Sequence, residues 1–145
     1  MRIARSFLVG VLLLFVACHS SPTEPAGGRK VGIIDAGGTL PMVIAAPAAV
    51  LLGKSFSVSI STFGDSCVIP AGADVVVDGL VATITPYDVA YVPPRGGACL
   101  LYLKPYPREV ELRFLGTGTA TIRVEGRSFY QSGLVTVTHS LVVSQ

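Results

Sequence analysis

An alternation of apolar and hydroxyl side chains, strict over residues 55–61 of the segment 54–63, is the feature of the sequence that most restricts its fold. Phe56, Val58 and Ile60 occupy every second position, and serines fill the positions between them. A period of two places the apolar groups on one face of an extended chain and the hydroxyls on the other. The pattern predicts a half-buried β-strand, and no helical period competes with it.

Short extended segments of the same kind fill the rest of the chain. Pro86, Pro105 and Pro107 are expected to end strands, because proline cannot donate to a β-ladder, and Asp78-Gly79 suits a tight hairpin turn. Further strands are predicted at residues 31–35, 42–46 with a continuation over 50–52, 73–77, 80–85, 87–92, 99–103, 108–114, 120–124 and 134–143. Roughly 7–10 strands without a helical segment predict an all-β fold. We expect an antiparallel β-sandwich, with a partly open β-barrel as the alternative.

The first residues have the three parts of an export signal. Arg2 and Arg5 precede an apolar run over residues 7–16, which suits a signal-peptide core and is too short for a bilayer-spanning helix. Residues 15–18 (FVAC) resemble the lipobox of bacterial lipoproteins, although Leu is more usual than Phe at its first position. The resemblance implies that residues 1–17 are removed and that the sulfur of Cys18 carries lipid. A plain secreted protein and a transmembrane anchor are the alternatives.

The segment after Cys18 predicts a flexible tether. Residues 19–28 contain two prolines, two glycines and almost no apolar bulk, so they cannot bury enough surface to offset the entropy lost on ordering. We expect residues 18–30 to connect the anchor to a single domain over residues 31–145. The lipoprotein resemblance implies an extracytoplasmic, membrane-anchored location. With His19 rather than Asp after the cysteine, it implies the outer membrane.

Charge argues against two classes of partner. Of the 11 Lys and Arg residues, two lie in the leader, which leaves nine against nine Asp and Glu residues. The mature chain is therefore close to neutral. No basic patch predicts binding to nucleic acid, and no cluster of Lys and Arg predicts binding to an anionic lipid surface.

The lipoprotein resemblance also implies a role for each of the three cysteines. If Cys18 carries lipid, Cys67 and Cys99 are the remaining pair, and an exported chain meets an oxidising compartment in which a disulfide forms. A reactive or metal-binding thiol is the alternative. The strand number, the domain length and this long-range pair resemble the immunoglobulin-like sandwiches of bacterial surface proteins. The chain lacks two hallmarks of antibody-type domains, since it has no Trp and Gly97 stands where those domains carry Tyr.

Residues suited to catalysis are scarce. His139 is the only imidazole of the predicted domain, and it lies on the apolar face of the last strand, where a core or rim histidine is expected. No nucleophile-elbow motif supports a Ser-His-acid triad, and one His with two Cys does not make a copper site. The spacing of the aspartates matches no calcium loop. We therefore predict no catalytic residue, no metal site and no cofactor.

One region is enriched in the side chains that most often carry binding energy at interfaces. Four of the five tyrosines lie between Pro86 and Arg108, together with arginines and several prolines that would hold loops rigid. Tyr also favours strands and Pro marks their edges, which offers an explanation without a function. The hypothesis is a partner-binding surface formed by Tyr87, Tyr91, Arg95, Tyr102, Tyr106 and Arg108.

These observations predict a non-enzymatic, membrane-anchored envelope lipoprotein. Its β-sandwich would present a binding or structural surface to a protein or polysaccharide partner. The alternative is a small extracytoplasmic enzyme or inhibitor with a site on its loops, such as residues 126–133. The sequence predicts no oligomeric state.

Overall fold

The computed structural model describes residues 28–38, 42–91, 93 and 97–145. The predicted signal peptide, Cys18, most of the tether and Arg95 lie outside these residues. The described chain forms nine strands and no helix, which confirms the predicted all-β class and strand number. The strands are β1 (Lys30–Val31), β2 (Ile33–Asp35), β3 (Ala49–Leu51), β4 (Phe56–Gly64), β5 (Val68–Asp78), β6 (Val81–Ala90), β7 (Lys104–Leu112), β8 (Gly118–Ser128) and β9 (Leu134–Ser144).

All nine strands belong to one curled, mixed sheet. The hairpins β5–β6 and β8–β9 are antiparallel, as are the pairs β4–β7, β1–β6 and β2–β4. The pairs β6–β8, β2–β8 and β3–β9 are parallel, and each is reached through a crossover connection rather than a hairpin. The sheet is therefore mixed, which differs from the antiparallel arrangement that the sequence predicts. The resemblance to immunoglobulin-like sandwiches stays a prediction.

The short segment β1–β2 joins two arms of the sheet, one that contains β5, β6 and β8 and one that contains β4 and β7. β1 pairs with β6, and β2 pairs with both β8 and β4, so the chain bends between them at Gly32. The Gly32 N–H donates to the carbonyl of Pro86 (2.8 Å), and the Gly32 carbonyl accepts from the N–H of Arg127 (2.9 Å). A Cβ at this position would lie 2.6 Å from Cγ2 of Thr62, so the bend requires glycine.

One hydrophobic core lies inside the curled sheet, and both arms contribute to it. The alternation predicted around residues 54–63, 108–114 and 120–124 is confirmed, since every second side chain is buried. Burial of these aliphatic groups is the main favourable term in folding. The inward residues of these three segments are Val58, Ile60, Leu112, Phe114, Ala120, Ile122 and Val124.

The prediction that prolines end strands was wrong. Pro86 lies inside β6, opposite the irregularity of β5 between Pro70 and Ala73. Pro105 and Pro107 lie inside β7, which pairs only with β4 among the described strands. An edge strand tolerates proline because its outer backbone groups need no partner.

The segment around Cys99 was also predicted wrongly as a strand. Residues 97–103 form none, and Leu101, in the middle of the predicted strand, is 93% exposed. The predicted disulfide is confirmed: Cys67 is bonded to Cys99, with 5.5 Å between their Cα atoms. This bond ties the irregular segment to the β4–β5 connection, and closing so long a loop stabilises the fold by roughly 3–4 kcal/mol in the chain-entropy model.

A substitution of Gly126 tests the close approach of β8 to β2. An added Cβ would lie 2.5 Å from Cγ2 of Ile34 and 2.9 Å from the Gly32 carbonyl oxygen. We expect Gly126→Ala to lower the free energy of unfolding in urea by roughly 1–3 kcal/mol, as overpacking does. Gly116→Ala is the matched control, because its nearest contact would be 3.7 Å, and its unfolding free energy should not fall. Equal stabilities for the two variants would contradict this packing.

Candidate functional site

The residues of the proposed tyrosine and arginine surface lie in different environments. Arg108 is buried, Tyr87 and Tyr106 are half-buried, and Tyr91 and Tyr102 are exposed. These five residues therefore do not form one continuous exposed surface, and the sixth, Arg95, lies outside the described residues.

Arg108 is the centre of a buried polar cluster. Its guanidinium forms an ion pair with Asp88, and it also donates to Oγ1 of Thr62 (2.5 Å). Two carbonyl oxygens accept from the same group, those of Tyr87 (2.5 Å) and Gly72 (3.0 Å). Arg108 thus connects β7 to β4, β5 and β6. Its assignment to a partner-binding surface is corrected, because the period of two along β7 turns this side chain to the same side as the core residue Leu112.

Tyr87 and Tyr106 hold neighbouring segments in place. The Arg29 guanidinium carbon lies 4.7 Å from the centre of the Tyr87 ring. Partial burial, and then the nearby carboxylate of Asp74, raise the pKa of the Tyr87 hydroxyl. The Tyr106 hydroxyl donates to the carbonyl of Asp65 (2.5 Å). Both tyrosines therefore have structural contacts that account for their positions.

A different surface is strongly exposed and apolar, and we call it the apolar rim. Leu100, Leu101 and Tyr102 of the irregular segment are 59%, 93% and 52% exposed. Phe129 and Tyr130 of the β8–β9 connection are 53% and 69% exposed, and their rings are in edge-to-face contact with centroids 5.2 Å apart. Leu101, Tyr102 and Phe129 line one hollow of about 190 Å³.

The rim is attached to the sheet by specific contacts. The N–H of Leu100 donates to Oγ of Ser66 (2.8 Å), and the disulfide lies next to it in the chain. On the other side, Oγ of Ser128 donates to Asp35 (2.7 Å) and accepts from the N–H of Tyr130 (3.2 Å). The Tyr130 ring also lies against Gly37, where an added Cβ would approach it to 2.4 Å. These contacts fix the two loops, with their exposed apolar side chains, to the sheet.

Sequence reasoning identified only Tyr102 of the rim as a site residue. It placed Leu101 within a predicted strand and named residues 126–133 only as a loop for the alternative enzyme or inhibitor. The available signal was the pair Phe129-Tyr130, since two consecutive aromatic residues are unusual in a polar connection between strands. Where the two loops meet could not be foreseen, because it depends on how the sheet curls.

The described residues offer little for catalysis. Among them, no three His, Cys, Asp or Glu side chains lie close enough to hold a metal ion. His139 is half-buried on β9, as its apolar neighbours predicted, and its Nε2 has no hydrogen-bond partner there. Asp88 forms the ion pair with Arg108, and Oδ1 of Asp65 accepts from the N–H of Cys67 (2.8 Å). No helix in the described part of the chain is long and apolar enough to cross a bilayer.

Comparison of the chain with protein-family models, with curated proteins and with solved structures finds no match. The geometry of the chain itself therefore carries the functional argument.

A variant of Arg108 tests the buried cluster. We expect Arg108→Met to lower the free energy of unfolding by roughly 3–5 kcal/mol, because Asp88 would remain buried without its partner. The matched control is Arg123→Met, which removes the exposed ion pair with Glu125 and should cost at most about 1 kcal/mol. Urea unfolding measures both variants. Similar losses for the two would contradict a special role for the cluster, whereas a recovery in the double variant Arg108→Met/Asp88→Leu would support it.

The stability contributed by Asp35 should depend on pH. Hydrogen bonds from Ser128, and then from the Gly37 N–H, hold the pKa of this carboxyl below its ordinary value. A lowered pKa in the folded state means that the contribution is present above the unfolded pKa, near 4, and is lost as pH falls through the folded value. The difference in unfolding free energy between the native protein and Asp35→Asn should therefore shrink from pH 6 to pH 3. A difference that stays constant would contradict this interpretation.

Proposed function

We propose that the protein is a non-enzymatic envelope lipoprotein, anchored to a bacterial membrane through lipid on Cys18. Its β domain presents the apolar rim to a partner, which is a protein or a glycan of the envelope. The observation that carries the proposal is the exposure of five large apolar and aromatic side chains on two loops. The Cys67–Cys99 disulfide supports one loop, and the Ser128–Asp35 hydrogen bond supports the other. The side chains are those of Leu100, Leu101, Tyr102, Phe129 and Tyr130.

The composition of the rim supports a binding role. Exposed apolar side chains that cluster mark interaction sites, because water solvates them poorly and a partner that covers them gains the full hydrophobic term. Aromatic residues are also enriched among the few side chains that dominate binding energy. Leu100 and Leu101 favour a protein partner over a glycan, since aliphatic groups offer no hydrogen bonds to sugar hydroxyls.

The preformed shape of the rim supports the same role. Ordering a flexible loop at an interface reduces affinity, and a loop that is already fixed avoids this loss. Leu100 is adjacent to the disulfide, and Tyr130 is held through Ser128 and packs against Gly37. A rim of this kind suits a specific partner better than a general hydrophobic contact.

The anchor places the rim towards the membrane. A chain of about ten residues, the separation of Gly28 from Cys18, reaches at most roughly 35 Å. The chain enters the domain beside the end of β6, where Lys30 is opposite Asp88. The rim lies near the same end, since the N–H of Tyr91 donates to the carbonyl of Cys67, which is bonded to Cys99. The partner is therefore expected to be close to the bilayer surface.

Incorporation of a labelled fatty acid tests the anchor. The expressed protein should carry the label and fractionate with membranes, and Cys18→Ala should lose both properties, because it lacks the sulfur to which the lipid is joined. A labelled Cys18→Ala variant, or an unlabelled native protein, would contradict the lipoprotein assignment.

Two truncations test the rim. The partner is first identified by cross-linking it from position 101 in cells and purifying the cross-linked product. The affinity of this partner for the double variant Leu101→Ser/Phe129→Ser should be at least about tenfold lower than its affinity for the native protein, since truncated hot-spot residues cost more than 1 kcal/mol each. Leu115→Ser is the matched control, because Leu115 is 74% exposed on the connection between β7 and β8 and should bind normally. The melting temperature of each variant checks folding. Equal affinities for all three proteins would exclude the rim as the site, and binding of the unlipidated protein to bare phospholipid vesicles through the rim would identify the bilayer as its partner instead.

A further inference from the structure

Two strand edges face one another across a cleft on the side of the domain between β5 and β7. In the part of the chain that the structure describes, β5 pairs only with β6, and β7 pairs only with β4. Arg108 crosses between them near one end to reach the carbonyl of Gly72. Grooves of about 350 Å³ and 330 Å³ lie along the cleft, the first between residues 70–73 and 107–110 and the second around Val77 and Arg113.

The hydrogen bonds of β6 determine which backbone groups of β5 are free. Two residues opposite one another in an antiparallel ladder either exchange hydrogen bonds or both point away from each other. Pro86, the partner of Ala73, has no N–H, and its carbonyl accepts from Gly32 on the far side of β6. Ala73 therefore directs its N–H and carbonyl away from β6. Backbone direction alternates along a strand, so Val75 and Val77 do the same and present a row of unpaired groups to the cleft.

The same argument applies to β7. Ser59, the partner of Glu109, exchanges both of its backbone hydrogen bonds with Ala45 (2.9 Å each). Glu109 therefore directs its N–H and carbonyl away from β4, and so do Pro107 and Glu111. Because Pro107 offers no donor, the β7 edge is partly blocked, whereas residues 73–78 of β5 contain neither proline nor lysine, the usual protection of an edge strand.

The side chains along the cleft are acidic outside and apolar inside. Ala73 packs against the core, and by the period of two Val75 and Val77 lie on the same face of β5. The opposite, solvent-facing side of the two strands carries exposed carboxylates, with the exposed Val76 between the two of β5, and Arg113 is an exposed cation just beyond β7. The carboxylates are Asp74, Asp78, Glu109 and Glu111.

We propose that the edge of β5 at residues 73–77 accepts an extended segment of a partner polypeptide as an additional strand. The segment alternates apolar side chains, which cover Val75 and Val77, with Lys or Arg side chains, which face Asp74, Asp78 and the glutamates of β7. Backbone hydrogen bonds supply affinity in this mode of binding, and the alternate side chains supply specificity. This site is separate from the apolar rim and does not depend on the function proposed for it.

Charge favours such a partner over a second copy of this chain. Pairing of two β5 edges centred on Val76 would set Asp74 of each copy opposite Asp78 of the other, and like charges opposite one another in a ladder are destabilising. A basic segment meets the same carboxylates with opposite charge.

A synthetic eight-residue peptide of alternating Lys and Val, with both ends blocked, is the probe. We expect it to bind the purified protein in fluorescence anisotropy, and to slow hydrogen exchange at the amides of Ala73, Val75 and Val77. A peptide with Glu in place of Lys should bind at least tenfold more weakly. The Lys peptide with N-methyl groups on alternate amides, which cannot complete the ladder, should also bind at least tenfold more weakly.

Variants of the protein separate strand addition from general attraction to acid. Asp74→Asn/Asp78→Asn should weaken binding about threefold to tenfold at low salt, with a smaller effect at high salt. Val75→Pro removes an edge donor without removing a β5–β6 hydrogen bond, and should weaken binding at least tenfold. If Val75→Pro does not fold, the N-methylated peptide and the exchange pattern decide.

Equal binding of the N-methylated and parent peptides, or no slowing of exchange along β5, would overturn the proposal. Sedimentation that shows a dimer, with β5 amides protected in the absence of peptide, would also overturn it by identifying a second copy as the occupant.

Discussion

The buried guanidinium of Arg108 connects the β4–β7 pair to the β5–β6 hairpin, and these two pairs form no ladder with each other among the described strands. It joins β7 to β4 through Thr62, to β6 through Asp88 and the carbonyl of Tyr87, and to β5 through the carbonyl of Gly72. A buried charge is costly unless it is paired and hydrogen-bonded, so the arrangement of these acceptors is strongly constrained once Arg108 lies inside the sheet. The cluster thereby ties the β4–β7 pair to the β5–β6 hairpin at one end of the cleft between β5 and β7.

The two surfaces have different physical origins. The apolar rim exists because a disulfide and the Asp35–Ser128 hydrogen bond hold two loops outside the sheet with their large side chains in water. Among the described strands, the sheet curls without closing between β5 and β7, which leaves the outer edge of β5 without a ladder partner. The apolar rim offers apolar area to a partner, and the edge of β5 offers backbone hydrogen bonds beside exposed carboxylates. A lipid-anchored domain with both features would be able to contact two partners at once.

Local patterns predicted much of the fold. Alternation foretold the inward faces of residues 54–63, 108–114 and 120–124, and glycine-containing turns separated the hairpins correctly. Prolines misled the interpretation because their effect depends on a neighbour: at an edge, or opposite an irregular stretch of β5, a missing N–H costs nothing. Leu101 was misplaced for a similar reason, since alternation has no meaning in a segment whose path is set by Ser66 and by the disulfide.

The sequence by itself determined that the chain forms β-strands, which faces of the main strands are apolar, and that Cys67 and Cys99 are available to each other once Cys18 is set aside. These properties follow from side-chain period and chemistry, which are local. Only the tertiary structure decided that Arg108 is buried, that Phe129 and Leu101 line one hollow, and that β5 and β7 each keep one edge without a partner among the described strands. Each of these depends on contacts between residues far apart in the chain, and the curl that brings them together is a property of the whole sheet.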